Sequence, residues 1–252
     1  DNGVDNVTSS ATIDAAFRQR STSGWLSLAR PLGKSLRLRG TYGLRHTGFR
    51  RAPWNDPPGF ALPDPFLEHV AEIDLDFSRR RLYAHAELET RQRETAETWG
   101  IEGSQQVTRA PGRLLLSGGY SLNLPRHRSF GARIVFERGW QLDHFSDLFT
   151  GFAGVRAPGF QPKRFDTGWG GSVSYSRNIR RRVPLTLRLG AALTRHDRFP
   201  DNDANQMGLE IETFFNGWWK TDIFLRVGLG LYSNRPGEAG DLRSRLIVSR
   251  RF

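Results

Sequence analysis

Apolar residues stand at alternate positions along most of this chain, in segments of roughly ten residues. Between Ser35 and Arg45, Leu36, Leu38, Tyr42 and Leu44 share one face of an extended strand, while Arg37, Arg39, Thr41 and Arg45 share the other. A helix would scatter these arginines around its surface, whereas a strand sets them in one row. The same alternation places Ala71, Ile73, Leu75 and Phe77 against Glu72, Asp74 and Asp76. It then places Leu82, Ala84, Ala86 and Leu88 against Tyr83, His85, Glu87 and Glu89. Residues 13–17, 26–28, 114–122, 130–142, 173–175, 185–193, 207–215, 223–231 and 242–252 repeat it, so the pattern predicts about twelve strands.

The connections alternate in length. Leu32 to Lys34, Arg79 to Arg81, Pro125 to Arg128, Arg180 to Arg182 and Gly217 to Lys220 are short; residues 49–66, 94–111, 146–163, 195–205 and 233–240 are long or polar. Residues 20–24 read as one further short hairpin that breaks this rhythm. Short turns at one end and longer loops at the other, with an even strand count, fit a membrane-spanning barrel better than a soluble sandwich. Trp25, Tyr42, Tyr120, Trp140, Trp169 and Tyr175 fall near strand ends or on the apolar face, with Trp218 and Trp219 in a turn, as interfacial belts would require.

The last segment alternates from Leu242, Leu246 and Val248 to a terminal Phe252, with Arg243, Arg245, Ser249 and Arg251 opposite. It resembles the closing strand of Gram-negative outer-membrane β-barrels, in which a final Phe is read by the assembly machinery. The resemblance implies a closed antiparallel transmembrane β-barrel with short periplasmic turns and longer extracellular loops. It implies residence in the outer membrane, contact with its lipids and lipopolysaccharide, and Phe252 as the assembly signal. In design the chain is similar to small monomeric twelve-stranded channels and to the barrel domains of export proteins. Asp1 to Asn6 is weakly similar to the junctions that precede such barrels in helical-repeat exporters, where a periplasmic or secretion partner would act.

Composition narrows the choices. At 252 residues, with no Pro/Gly/Ser linker, residues 1–252 are expected to form a single barrel domain. There is no cysteine, which removes disulfides, thiolate metal sites and a Cys nucleophile. Mean hydropathy is −0.53 and no apolar run approaches the ~18 residues of a transmembrane helix. A barrel tolerates this because only alternate residues meet lipid. No signal peptide is visible at Asp1, so a mature chain or an excised domain is expected.

A net charge of +11 first suggests nucleic acid or an anion channel. Sorting by face removes the first: nucleic-acid binding would require the apolar rows to turn inward. The polar face carries Arg37, Arg39, Arg45, Arg133, Arg188, Arg226, Arg243, Arg245 and Arg251 against Glu72, Asp74, Asp76, Glu87, Glu89, Glu210 and Glu212, and these residues are expected to line the pore. Much of the excess lies in the turns, at Lys34, Arg79 to Arg81, Arg126, Arg128, Arg180 to Arg182 and Lys220, where lipid headgroups would meet it. Within the lumen an acidic wall would stand beside a basic one, either as a salt-bridge lattice or as a charged constriction. Gly43, Gly119, Gly131, Gly170, Gly190, Gly228 and Gly230, with Ser172 and Ser174, would leave room there.

His46, Asp143, His144, Ser146, His196, Asp197, Asp201 and Asp203 fall near the outer ends of strands, where a His/Asp pair could serve an outer-membrane enzyme. No recognised catalytic motif joins them, so no catalytic residue is assigned. The Asp-rich 197–203 stretch lacks the ligand spacing of a calcium loop, and no metal or cofactor is expected. The best reading is a narrow channel or transport component for small charged or polar solutes. The alternatives are a barrel domain of a larger secretion or exopolysaccharide-export protein and, third, an enzyme with a rim His/Asp site.

Overall fold

Alternation in the sequence becomes a ladder of long antiparallel strands. The computed structural model describes residues 4–9, 12–51, 59–101, 103, 105–143, 145–146, 148–149, 155–160, 164–179, 183–196, 203–216, 221–235 and 237–250. The strands are β1 (Val4–Ser9), β2 (Thr12–Pro31), β3 (Leu36–Arg51), β4 (Phe60–Ala61), β5 (Phe66–Arg79), β6 (Leu82–Arg93), β7 (Thr98–Ile101), β8 (Gln105–Gln106) and β9 (Gly112–Leu124). They continue with β10 (Arg128–Trp140), β11 (Leu148–Phe149), β12 (Arg164–Phe165), β13 (Thr167–Ile179), β14 (Val183–Arg195), β15 (Ala204–Asn216), β16 (Thr221–Ser233) and β17 (Leu242–Arg250). The long strands lie in one sheet in chain order, while β4, β7, β8 and the pair β11–β12 form small satellites. No pairing among the described residues closes the sheet.

Residues 20–24 are not a hairpin. They are the middle of β2, which pairs with β3 from Phe17↔Arg51 to Pro31↔Arg37 without a break. The polar residues that mimic a turn are the polar row of one long strand: Ser21 Oγ lies 3.4 Å from Thr47 Oγ1, and Ser27 Oγ 3.0 Å from Thr41 Oγ1. The first strand of the sheet is instead β1, which pairs with the beginning of β2.

The two faces are inverted relative to a water-soluble protein. Leu28 is 80% exposed, Leu26 76% and Ile134 68%, while Glu68, Asp74 and Glu210 on the polar face are 1–2% exposed. Such apolar rows are stable only against lipid. Among the described residues no helix is long and apolar enough to cross a membrane. In the turns, Arg80, Arg126 and His127 adopt positive φ (53°, 61° and 56°), which glycine or asparagine takes more easily.

The chain divides into two compact units. The first comprises Asp1–Leu75, Glu87–Leu114 and Gly139–Asp147. Its loops are packed: Phe60, Phe66, Trp99 and Val107 are buried together, with Phe49, Leu62 and Phe145 against them. Trp99 and Phe145 have ring centroids 5.2 Å apart, and Phe49 and Phe145 5.0 Å. The second unit comprises Asp76–Ala86, Leu115–Arg138 and Leu148–Phe252, in which β10 and β13 to β17 are consecutive neighbours in the sheet.

Candidate functional site

In the first unit, strand pairing brings opposite charges together on the polar face. Arg39 Nε donates to Asp74 Oδ2 at 2.8 Å and its guanidinium reaches Glu72 at 3.9 Å. Arg45 meets Glu68 at 3.4 Å. Arg113 pairs with Glu87, and Arg91 with Glu89 at 2.5 Å. The carboxylates of Glu72, Glu87 and Glu89 gather within 4.8 Å of one another, neutralised by these arginines. The expected acidic and basic walls are therefore mated as a salt-bridge lattice rather than held apart.

The deepest ion pairs stand above it. Arg93 Nε donates to Glu68 at 2.8 Å and Nη1 to Asp143, all three side chains 1% exposed, with the guanidinium 4.9 Å above the Phe66 ring. The Thr108 backbone N–H and the Ser146 hydroxyl also donate to Asp143, each at 2.7 Å. Ser146 and Asp143, considered as rim chemistry, thus serve a buried structural network. His196 pairs with Asp166 at 3.0 Å, and both are largely buried. His46 is exposed, Asp203 accepts from the His196 backbone N–H at 2.9 Å, and His144, Asp197 and Asp201 lie outside the described residues.

In the second unit the charges concentrate on two glutamates. Register places Arg188 opposite Glu210 and Glu212 opposite Arg226. Glu210 accepts from Arg188 at 3.0 Å, from Arg226 at 3.3 Å and from Arg156. Glu212 accepts from Arg226 at 2.8 Å and lies 3.7 Å from Arg188. Arg133 faces the same side opposite Ser172. Asp76 pairs with His85 at 2.8 Å. Arg37 and Arg245 are exposed, Arg243 approaches Asp241 at 3.7 Å, and Arg251 and Phe252 lie outside the described residues.

Arg156 comes from a loop that turns back onto this wall. Register aligns Gly190 with Gly208 and Gly208 with Gly230, forming a side-chain-free floor across β14, β15 and β16. The segment 155–160 is seated on it. A Cβ at Gly208 would stand 1.7 Å from the Pro158 carbonyl oxygen, one at Gly190 2.9 Å from Pro158 Cδ, and one at Gly228 2.7 Å from Gly159 N. At Gly230 it would meet the Phe160 ring at 2.7 Å. Gly159 itself needs glycine twice, for its φ of +84° and for its approach to the β16 backbone. Burial first, then the Arg226 and Arg188 guanidiniums, pushes Arg156 down to about 10.

The glycines expected to leave open space divide: Gly131, Gly170 and Gly190, with Ser172 and Ser174, border a cavity of about 440 Å³ on this wall, while most of the set also carry other groups against them. Gly43 lies beneath the Trp25 ring, Gly119 beneath Tyr83, and Gly170, Gly190, Gly228 and Gly230 beneath the seated segment. Trp25 accordingly belongs to the polar face, with Arg45 5.5 Å from its ring, and not to an interfacial belt. On the apolar face Trp169 stacks against Phe136 at 4.4 Å, and Tyr42 bonds His69 Nδ1 at 2.6 Å. Trp218, Trp219 and the basic turn at 180–182 lie outside the described residues.

Sequence reasoning missed Glu68, Arg113 and Arg156 as members of the charged face. Extending the alternation outward from Ile73 and Leu114 reaches the first two; nothing in the loop's composition announces the third.

No protein-family model matches the sequence, and no curated protein does. Among solved structures the chain is similar to CdiB from Escherichia coli, at 13% identity, covering 97% of this chain with a TM-score of 0.66. It is also similar to CdiB from Acinetobacter baumannii, at 12% identity, covering 93% with a TM-score of 0.63. The fold is that of a bacterial outer-membrane β-barrel protein. This chain spans 48% and 42% of the length of those two structures. An antiparallel sheet of this fold with its apolar rows exposed belongs in the outer membrane.

Proposed function

We propose that residues 1–252 form one closed barrel of about twelve strands that acts as a narrow conduit for small charged or polar solutes, constricted by the segment 155–160. The observation that carries this reading is the seating of that segment on the glycine floor of β14 to β16, pinned by Arg156 to Glu210. A barrel filled only by its own side chains has no need of a bare backbone floor. A conduit that must be narrowed at one level does. Arg37, Arg39, Arg45, Arg133, Arg188, Arg226, Arg243, Arg245 and Arg251, with their acidic partners, would line the passage.

Planar-bilayer recording of the refolded protein tests it. Discrete, saturating conductance steps are expected, and a heat-modifiable, inserted barrel with no conductance would refute it. A second reading, a barrel domain of a larger export protein, draws on the fit to less than half the length of CdiB. It predicts that deleting the barrel abolishes surface delivery of a protein or polymer while leaving solute uptake unchanged.

In either case Phe252 would signal to the barrel-assembly machinery, and the basic turns at Lys34, Arg79 to Arg81, Arg126 and Arg128 would meet lipid headgroups, with lipopolysaccharide around the opposite rim.

A further inference from the structure

The apolar face of the first unit gathers cations at one end of β2 and β3. Register pairs Arg20 with Gly48, Thr22 with His46 and Leu26 with Tyr42, so Arg20, His46 and Gly48 share a face with Leu26, Tyr42 and Leu44. Arg50, two residues beyond Gly48 in β3, falls on that face too. Arg20 therefore has His46 and Arg50 as diagonal neighbours across the strand pair, within reach of one group held between them. Gly48 is the floor at their centre. A Cβ there would have only His46 Cε1 within 4 Å, at 3.9 Å, so the floor is bare. Arg20, His46 and Arg50 are exposed, and among the described residues none of them has an ion pair or a side-chain hydrogen bond. From Arg20 to Pro31 β2 carries no Asp or Glu, nor does β3, and those of β5 lie on its polar face. Like charges on diagonal neighbours repel, so the cluster favours an anion brought from outside.

Its height says where that anion comes from. With a rise of ~3.3 Å per residue and a tilt of ~40°, the row from Leu36 to His46 climbs about 25 Å, the height of a barrel's apolar band. Arg20 and Arg50 stand just above that band, at the end away from the Leu32 to Lys34 turn, where headgroups begin. We infer that this face binds the phosphate of an outer-leaflet lipid over Gly48, with the acyl chains along the row of Leu26, Leu28, Tyr42 and Leu44. Guanidinium forks match paired phosphate oxygens, and His46 adds an N–H donor in either protonation state. The missing side chain at Gly48 lets the phosphate approach the backbone. A free phosphate ion would gain the polar contacts alone, whereas a lipid also keeps its chains on the apolar row. The inference deepens, and rests on, the reading that lipid surrounds this rim.

Native mass spectrometry of the refolded protein, released from detergent micelles carrying a chosen lipid, tests it. The probes are diphosphoryl lipid A, phosphatidylcholine and inorganic phosphate. A saturable lipid A adduct is expected at a lipid concentration about tenfold or more below that needed for phosphatidylcholine, and inorganic phosphate at the lipid's concentration should not displace it. Arg20→Gln with Arg50→Gln should weaken lipid A binding about tenfold or more. Gly48→Leu keeps every charge but fills the floor, and should weaken it severalfold; a diffuse attraction to basic residues would not register that change. Heat-modifiable gel mobility checks that each variant is folded. Equal retention of lipid A and phosphatidylcholine, displacement by inorganic phosphate, or unchanged affinity in either folded variant would overturn the inference. Retention of both lipids without preference sinks this inference alone, whereas retention of neither sinks the lipid contact of the rim with it. Conductance of the same preparation reads the conduit separately.

Discussion

Gly208→Ala is the smallest perturbation that should unseat the 155–160 segment. The added Cβ would stand 1.7 Å from the Pro158 carbonyl oxygen and 2.7 Å from Pro158 C, backbone atoms that cannot rotate away. Restoring ordinary contact requires the segment to withdraw by roughly 1.5 Å. That withdrawal also separates Pro158 from Gly190 and Gly159 from Gly228, and draws Arg156 off Glu210. Overpacking of this kind costs about 1–3 kcal/mol. At about 1.4 kcal/mol per tenfold, the seated population falls relative to the unseated one by about fivefold to about 150-fold. Single-channel recording should show a larger or longer-lived open level in the variant. Gly40→Ala, where a Cβ meets nothing within 4 Å, is the control and should behave as the parent. An inserted Gly208→Ala barrel with the parent's conductance and open fraction would refute the seated-loop constriction.

Other perturbations address separate parts of the structure. Arg93→Ala leaves Glu68 and Asp143 buried without their shared cation, and should lower stability by about 3–5 kcal/mol, read as a drop in the temperature at which the heat-modifiable band unfolds. Ile134→Arg places a charge midway along β10 on the apolar face, at a cost of about 2–4 kcal/mol in a lipid bilayer; equal refolding yield of parent and variant in vesicles would contradict the assignment of faces. Glu97 hydrogen-bonds Asp64 in the loops of the first unit, and that bond with the neighbouring negative charge holds the Glu97 carboxyl above its usual range. A raised folded pKa contributes stability at low pH that is lost as pH rises through it, so proteolysis of these loops should quicken from acidic toward neutral pH, and Glu97→Gln should flatten that dependence.

Much of the fold was legible because a strand's period is two and only one face meets lipid. Leu36, Leu38, Leu82 and Leu187 announce the apolar face without reference to any partner. What depends on partners was less legible. The Arg20 to Gly24 stretch looks like a turn by composition, and only pairing with Thr47 and Arg45 reveals it as strand. Trp25 reads as a belt residue until Gly43 opposite it is seen to hold its ring on the polar face. The acidic residues of β5 and β6 look segregated in sequence, yet Arg39, Arg91 and Arg113 reach them from neighbouring positions. The glycine floor was visible as separate glycines but not as a floor, since its purpose lies in a loop whose seating no local pattern records.

The central claim is that one face of each long strand meets lipid and the other meets water inside a barrel. The chain has no cysteine, so single cysteines can be placed along β13 and β14 without background and tested in outer-membrane vesicles. An aqueous maleimide should label Ser172, Ser174 and Thr186 positions, and a lipid-phase reagent should label Val173, Leu185, Leu187 and Leu189 positions, alternating residue by residue. Aqueous labelling of both sets, or the opposite alternation, would contradict the account.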